Sequence, residues 1–578
     1  MEYCTHNSPN NKIPAGKEGG APARCGGKCG HCPTVIIHGI GQSELYVLDE
    51  SGKRKLDKNG REIMAWPLSA DMKSIARGLA RPMLRMLITR KDNGFSDKAA
   101  AAVKSIFAPN ASAPDGRRTG RTELVRYPNS VACCSEKEKN FIYSCIRLTH
   151  YTQTAGEDHL YYFAYDSFGN NLSVAEELFH FIQKVKEETG HSKINLVPVS
   201  LGGTIANSLF EFYPQVSGDL NRVVYIVPAL DGSNIVGDIY TGNLSLKGKM
   251  LYNDLFPSFM RGYKGYLVNL LLRIPPRKVL SAAIEKTLAA LQETVFSNST
   301  VMWGLVPCAY YSEAAARHIS DPAHAEIKRQ ADLYHMAQLH SKNNILSLVE
   351  HGVSVFDIVD YNKPLYAIAG SWGQCNADGV IHLGSTSMGA ASGLVDTPLP
   401  NGYTQQNTFC KNPSHNHISP DGIVDASAGL LPDHTFYFYN QQHEGTGRND
   451  VIIKLATELL LNDCFKDIDT MPERFPQFNT GRETRNLSND IANAKKIDWN
   501  SLAPADAAEL KAAIEQTETM LENTVVVFEE FTAARERLYA ILAKIGLRSP
   551  PRKSHFDKFA LSFLKFASGS LFKLFGPQ

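Results

Sequence analysis

The sequence predicts an α/β fold built on a mostly parallel sheet. Two observations carry this expectation. Strand-like and helix-like stretches alternate over 159–230. Within them, a short apolar strand at 194–199 runs directly into Ser200, then Leu201, Gly202 and Gly203 and a helix-like stretch. Such strand–helix–strand units need a crossover helix to bring successive strands parallel.

At 578 residues the chain can hold one large elaborated domain with appendages. Hydrophobic residues make up 43% and charged residues 21%, enough for a sizeable core. Lys plus Arg number 60 against 59 Asp plus Glu, a net charge of +1. A nucleic-acid partner would call for a basic excess, so none is expected. No apolar run reaches 18 residues, which speaks against an ordinary spanning helix. The first 17 residues lack the basic and apolar regions of a signal peptide, which favours a cytoplasmic location and leaves export and peripheral membrane contact open. Eleven cysteines, an odd number spread over a long chain, do not read as a disulfide scaffold. Cys25, Cys29 and Cys32 lie close together beside His31, but no second knuckle accompanies them, and no metal site is assigned.

In order along the chain, 1–32 read as a flexible Cys- and Gly-rich leader. TVIIHGIGQS (34–43) is a buried strand feeding a glycine loop. The near-copies LDESGKR (48–54) and LDKNGRE (56–62) read as a surface ribbon, and 68–107 has helical spacing. HLYYFAYDSF (159–168), INLVPVS (194–200) and RVVYIVPAL (222–230) read as strands, with helices at 172–189 and 201–213 between them. The helical face of 172–189 is set by Val174, Leu178, Phe181, Ile182 and Val185. Residues 231–361 read as mostly helical. PLYAIAGS (364–371) and HTFYFYNQQH (434–443) read as further strands, with a helix at about 449–461 and no strands after 465. Two polar-faced helices are expected over 504–546 and an amphipathic one over 553–575. The resulting division is a leader (1–32), a first core part (33–230) with an insert at 44–157, and a helical cap (231–361). A second core part (362–464) and a C-terminal helical extension (465–578) complete it.

The stretch Asn195 to Gly203 has the form of a nucleophile elbow, in which a strained serine sits on a sharp strand-to-helix turn. Small residues must flank so tight a turn. Gly202 fits the G-x-S-x-G pattern, whereas Pro198 stands where the first glycine would be. A serine nucleophile needs a base, usually a histidine held by a carboxylate, and here the chain order would be Ser, acid, His. His443 follows the last long core strand and so falls on the sheet edge that carries the elbow. Asp421, in a glycine turn 22 residues before His443, is the favoured acid, with Asp425 and Asp378 as runners-up. An oxyanion hole needs two backbone N–H groups. Leu201, after the nucleophile, and Ile40, in the His38-Gly39-Ile40-Gly41 loop, are the candidates.

With these residues in hand, the chain resembles the α/β-hydrolase superfamily, and within it the bacterial lipase and lecithin:cholesterol acyltransferase-like branch. The resemblance rests on HGIG (38–41), FAYDSFGNN (163–171), INLVPVSLGG (194–203), SPDGIVDAS (419–427) and QQHEG (441–445), with a weaker match at 302–307, and spans about 33–461. It implies an α/β-hydrolase fold and hydrolysis of a carboxylic ester, lipid esters foremost, through an acyl-serine and without a cofactor. Two alternatives stand beside it. One is acyl transfer to an alcohol. The other is an inactive hydrolase fold that binds a membrane or a partner, a reading motivated by Pro198 and the C-terminal helices. The apolar stretch 255–275 is a candidate lid or acyl-chain surface. The lysine-striped 554–575 is a candidate interfacial helix.

Overall fold

The computed structural model describes residues 26–27, 29–67, 72–245, 276–480, 490–522 and 528–545. The candidate lid at 255–275 and the tail at 554–575 therefore lie outside the described residues, as does Cys25. The chain divides into two compact units, 1–482 and 483–578.

The first unit is an α/β fold, as the sequence predicts. Its sheet has seven strands: β1 (Thr34–Ile37), β2 (Leu160–Phe163), β3 (Ile194–Pro198), β4 (Leu220–Ile226), β5 (Ser354–Tyr361), β6 (Thr435–Tyr439) and β7 (Phe478–Thr480). They lie in the order β7-β6-β5-β4-β3-β1-β2, and every pairing is parallel. β1, β3 and β4 are buried almost end to end, the pattern of strands covered on both faces. One face packs under α1 (Asn171–Thr189) and α2 (Gly202–Phe212), where Val174, Leu178, Ile182 and Val185 meet Ile205 and Leu209. On the other, Ile452, Leu455, Ala456 and Leu459 of α4 (Asp450–Leu461) join Val197, Val224, Phe356 and Phe436.

Asn170 caps α1 by accepting the Leu172 and Ser173 N–H groups, and Gly190 ends it with φ +74°. At the C-terminal end of α4, the buried Arg222 guanidinium donates to the carbonyls of Leu459 and Asn462. A cation at a helix C-terminus satisfies carbonyls that the helix itself leaves unpaired.

Three expectations are corrected. Residues 364–371 are turns, and the strand is β5, just before them. Its sequence, SVFDIVDY, buries Asp357 and Asp360, two residue types that interrupt the apolar run by which a covered strand is recognised. The helical run expected over 231–361 accordingly ends with α3 (Ala325–Glu350). Strands also continue past 465, because β7 pairs with β6 at the sheet edge.

The ribbon at 48–62 closes its two turns alike. Asp49 accepts the Ser51 and Lys53 N–H groups, and Asp57 those of Asn59 and Arg61. In the second unit, helices Pro504–Glu522 and Phe528–Lys544 pack through Leu510, Ile514, Leu538 and Ile541. Among the described residues, no helix is long and apolar enough to cross a membrane.

Candidate active site

Ser200 sits immediately beyond β3, at the C-terminal end of the sheet, and adopts φ +52°. A left-handed backbone costs a serine free energy, and the surroundings must enforce it. They do so with backbone bonds. The Ser200 N–H donates to Ile226 O at 3.0 Å, while Ser200 O accepts from Gly203 at 2.9 Å and Ala229 at 2.9 Å. The turn leaves no room for side chains on the glycines after it. A Cβ on Gly202 would lie 2.3 Å from Ile37 O, and one on Gly203 would lie 2.9 Å from Pro228 Cβ. Gly39 presses on the serine from β1, since a Cβ there would fall 3.0 Å from Ser200 Cβ.

Pro198 occupies the elbow's first small position without breaking the sheet. Val199 N–H donates toward β1, at Ile37 O, and Ser200 N–H toward β4, at Ile226 O. By that alternation, the N–H that proline lacks would have pointed toward β4, so a single ladder bond is forgone.

His443 opens a short helical turn, residues His443–Arg448, just after β6. Its Nε2 lies 2.9 Å from Ser200 Oγ, and its Nδ1 lies 2.6 Å from Asp378 Oδ2. The His443 N–H also donates to Asp378 O at 3.0 Å. Asp378 is fully buried, and its second oxygen, Oδ1, accepts from the Val380 and Ile381 N–H groups at 2.8 and 2.7 Å. These two donors hold Oδ1 in place. They also turn Oδ2 toward the imidazole.

The carboxylate beside His443 is thus Asp378, and the expectation of Asp421 is corrected. Asp421 is engaged elsewhere, accepting from Tyr361 Oη at 2.8 Å, Ser419 Oγ at 2.5 Å and the Ile423 N–H at 2.9 Å. Asp425 is buried in its own turn, holding Ser427 and Tyr403. Both belong to the excursion between Asp378 and β6. Asp378 comes within 17 residues of the end of β5, on the sheet edge that carries Ser200.

The loop after β1 is held by its histidine. His38 is buried and stacks on Tyr165 with ring centroids 4.0 Å apart. Its Nε2 accepts the Tyr165 N–H at 3.1 Å, and its Nδ1 donates to Gly39 O at 2.7 Å. Tyr165 Oη in turn donates to His38 O at 2.8 Å. Burial pushes the His38 imidazole down to about 4, so it is neutral and fixed in one tautomer. The Gly39 N–H is taken by Gln42 Oε1 at 2.7 Å. Among the described residues, neither the Ile40 N–H nor the Leu201 N–H donates a hydrogen bond. Leu201 immediately precedes α2, and Ile40 follows the glycine packed on Ser200.

The 302–307 segment fastens the inserted helices to this edge. Trp303 is buried, its Nε1 donating to Ser297 O at 3.0 Å, and Leu305 O accepts the Ser233 N–H at 2.9 Å. His382 had escaped notice in the sequence. It is half-buried near Asp378 and Asp231, with desolvation lowering its pKa, and only the tertiary fold brings it there. At the leader, Cys29 Sγ lies 3.0 Å from His159 Nε2 and 3.3 Å from His191 Nε2, a set of three that could hold a metal.

Neither a family model nor a curated protein sequence matches the chain. Among solved structures, one described as "The crystal structure of Tle4-Tli4 complex" is 13% identical, with 74% of this chain and 98% of that chain covered at a TM-score of 0.27. That likeness is too slight to bear on fold or function.

Proposed function

We propose that the protein is a serine hydrolase of the α/β-hydrolase type acting on carboxylic esters, lipid esters foremost. The observation that carries this reading is the Ser200–His443–Asp378 array, with a left-handed serine between a strand and a helix. Ser200 Oγ attacks the ester carbonyl while His443 Nε2 takes its proton. Asp378 keeps the other imidazole proton on Nδ1 and stabilises the imidazolium. The Ile40 and Leu201 amides receive the oxyanion, and the dipole of α2 adds to them. His443 then protonates the leaving alcohol, and water, activated in the same way, releases the acid.

A fluorophosphonate tests this directly, because it phosphylates activated serine hydroxyls and leaves unactivated ones alone. The expected adduct is on Ser200, absent in His443→Ala. Folded wild-type protein that takes no label on Ser200 would refute the reading.

A further inference from the structure

Between the two array residues Asp378 and His443, the excursion that leads to β6 gathers four side chains whose donor atoms converge. They are Cys410 Sγ, His415 Nδ1, His417 Nε2 and Asp433 Oδ1, all within 4.8 Å of one another. His417 is fully buried and Cys410 nearly so. We propose that these four residues form a four-coordinate zinc site that clasps the 410–417 loop to the start of β6.

The donor–donor distances come within about 0.5 Å of those around a tetrahedral ion. Zinc bonds of about 2.3 Å to sulfur and about 2.0–2.1 Å to nitrogen and oxygen place tetrahedral N and O donors about 3.3 Å apart and S and N donors about 3.6 Å apart. Cys410 Sγ is 3.8 Å from His415 Nδ1 and 3.2 Å from His417 Nε2. Asp433 Oδ1 is 2.8 Å from His415 Nδ1 and 3.2 Å from His417 Nε2. One thiolate, two imidazoles and one carboxylate are a borderline-soft set suited to zinc.

The surrounding groups sharpen the case. Gln477 Nε2 donates to Pro432 O at 2.7 Å and to Thr435 O at 3.3 Å, which fixes how its amide points. Its Oε1 therefore faces His417 Nδ1, at 2.9 Å, and Nδ1 must carry the proton. In the neutral ring, Nε2 then turns a lone pair toward a carboxylate oxygen and a sulfur. Lone pairs converge in this way around a cation, and a ligating histidine commonly donates its other N–H to an outer oxygen. Asp469 Oδ2 stands 3.5 Å from His415 Nε2, in the same outer position. All four positions are filled by protein, the arrangement of a structural rather than a catalytic zinc. Asp433 lies two residues before β6, at the end of that strand opposite His443.

The test uses the full chain in a Cys29→Ser background, which removes the sulfur of the other histidine–cysteine group. Metal analysis is expected to find one zinc per chain more than in the further variant Cys410→Ser. Cobalt added after chelation should give a thiolate-to-cobalt absorption that Cys410→Ser abolishes, while Ser200 still takes the fluorophosphonate. Equal zinc in the two chains, or cobalt without a Cys410-dependent absorption, would overturn the proposal. Should Cys410→Ser fail to fold, X-ray absorption on the zinc-loaded parent decides. One sulfur with three nitrogen or oxygen neighbours supports the site, and a shell without sulfur overturns it.

Discussion

Replacing Asp378 by asparagine is expected to lower turnover by about 10⁴-fold while leaving the fold intact. The reason lies in the hydrogen bonds of both carboxylate oxygens. Oδ1 accepts two backbone N–H groups, from Val380 and Ile381, and Oδ2 accepts from His443 Nδ1. An asparagine that keeps its oxygen toward the backbone must present its NH₂ to the imidazole. His443 Nδ1 would then accept, its proton would sit on Nε2, and Nε2 could no longer take the serine proton. Flipping the amide restores the imidazole but sets NH₂ against two backbone donors, each left unsatisfied at a cost of about 1–3 kcal/mol. The inactive tautomer therefore dominates, and a 10⁴-fold loss corresponds to about 5.4 kcal/mol of transition-state stabilisation. The assay is the rate of Ser200 labelling, or hydrolysis of a chromogenic ester, with urea unfolding as the fold check. Asp421→Asn is the matched control. It weakens bonds to Tyr361 and Ser419 and costs stability, but its labelling rate should stay within about threefold of wild type, roughly 0.7 kcal/mol. A labelling rate for Asp378→Asn within tenfold of wild type, or a loss confined to Asp421→Asn, would refute the assignment.

Three further outcomes are expected. The buried His38 has its pKa depressed to about 4 against about 6.5 unfolded. The unfolded chain thus binds more protons below pH 6.5, and up to about 3 kcal/mol of stability should drain away as pH falls through 4. Urea midpoints of wild type and His38→Gln between pH 7 and pH 4 should converge on acidification. Asp357, fully buried, has its pKa raised by burial, so its stability contribution is present below about pH 4 and lost as pH rises. The Asp357→Asn variant should gain on wild type by up to about 1.4 kcal/mol per pH unit above pH 4, and a flat difference in melting temperature would count against this. Gly202→Ala, whose Cβ would meet Ile37 O at 2.3 Å, should cost about 1–3 kcal/mol and slow labelling of Ser200. Gly218→Ala, with open space around it, should change the urea midpoint little.

The parts of this molecule that read well from sequence are those encoded locally. The Val197–Gly203 stretch carries strand, strained serine and helix start in seven residues, and His38-Gly39 ends an unbroken apolar strand. The carboxylate beside His443 is different. The segments around Asp378 and Asp421 both put a carboxylate beside a glycine, and closeness to His443 in sequence favours the wrong one. What separates them is which aspartate remains at the sheet edge after β5, a matter of tertiary path. β5 was itself obscured by two buried aspartates, and 364–371 imitates a strand while having no ladder to join. The Cys410 cluster eluded sequence reading for a related reason. Its fourth member, Asp433, comes 16 residues after His417 and joins it only through folding.

The strand order also bears on how the protein is made. β1 is interior to the sheet, yet its neighbours begin only at Leu160 and Ile194. Ser200 emerges from synthesis long before Asp378 and His443, which lie 178 and 243 residues later. Non-local pairings of this kind form slowly, and the N-terminal strands must wait for partners not yet translated. A nascent or truncated chain ending before His443 would hold the serine without its base. The Ser200–His443–Asp378 array is therefore complete only after the last of its three residues has been made and β6 has joined the sheet.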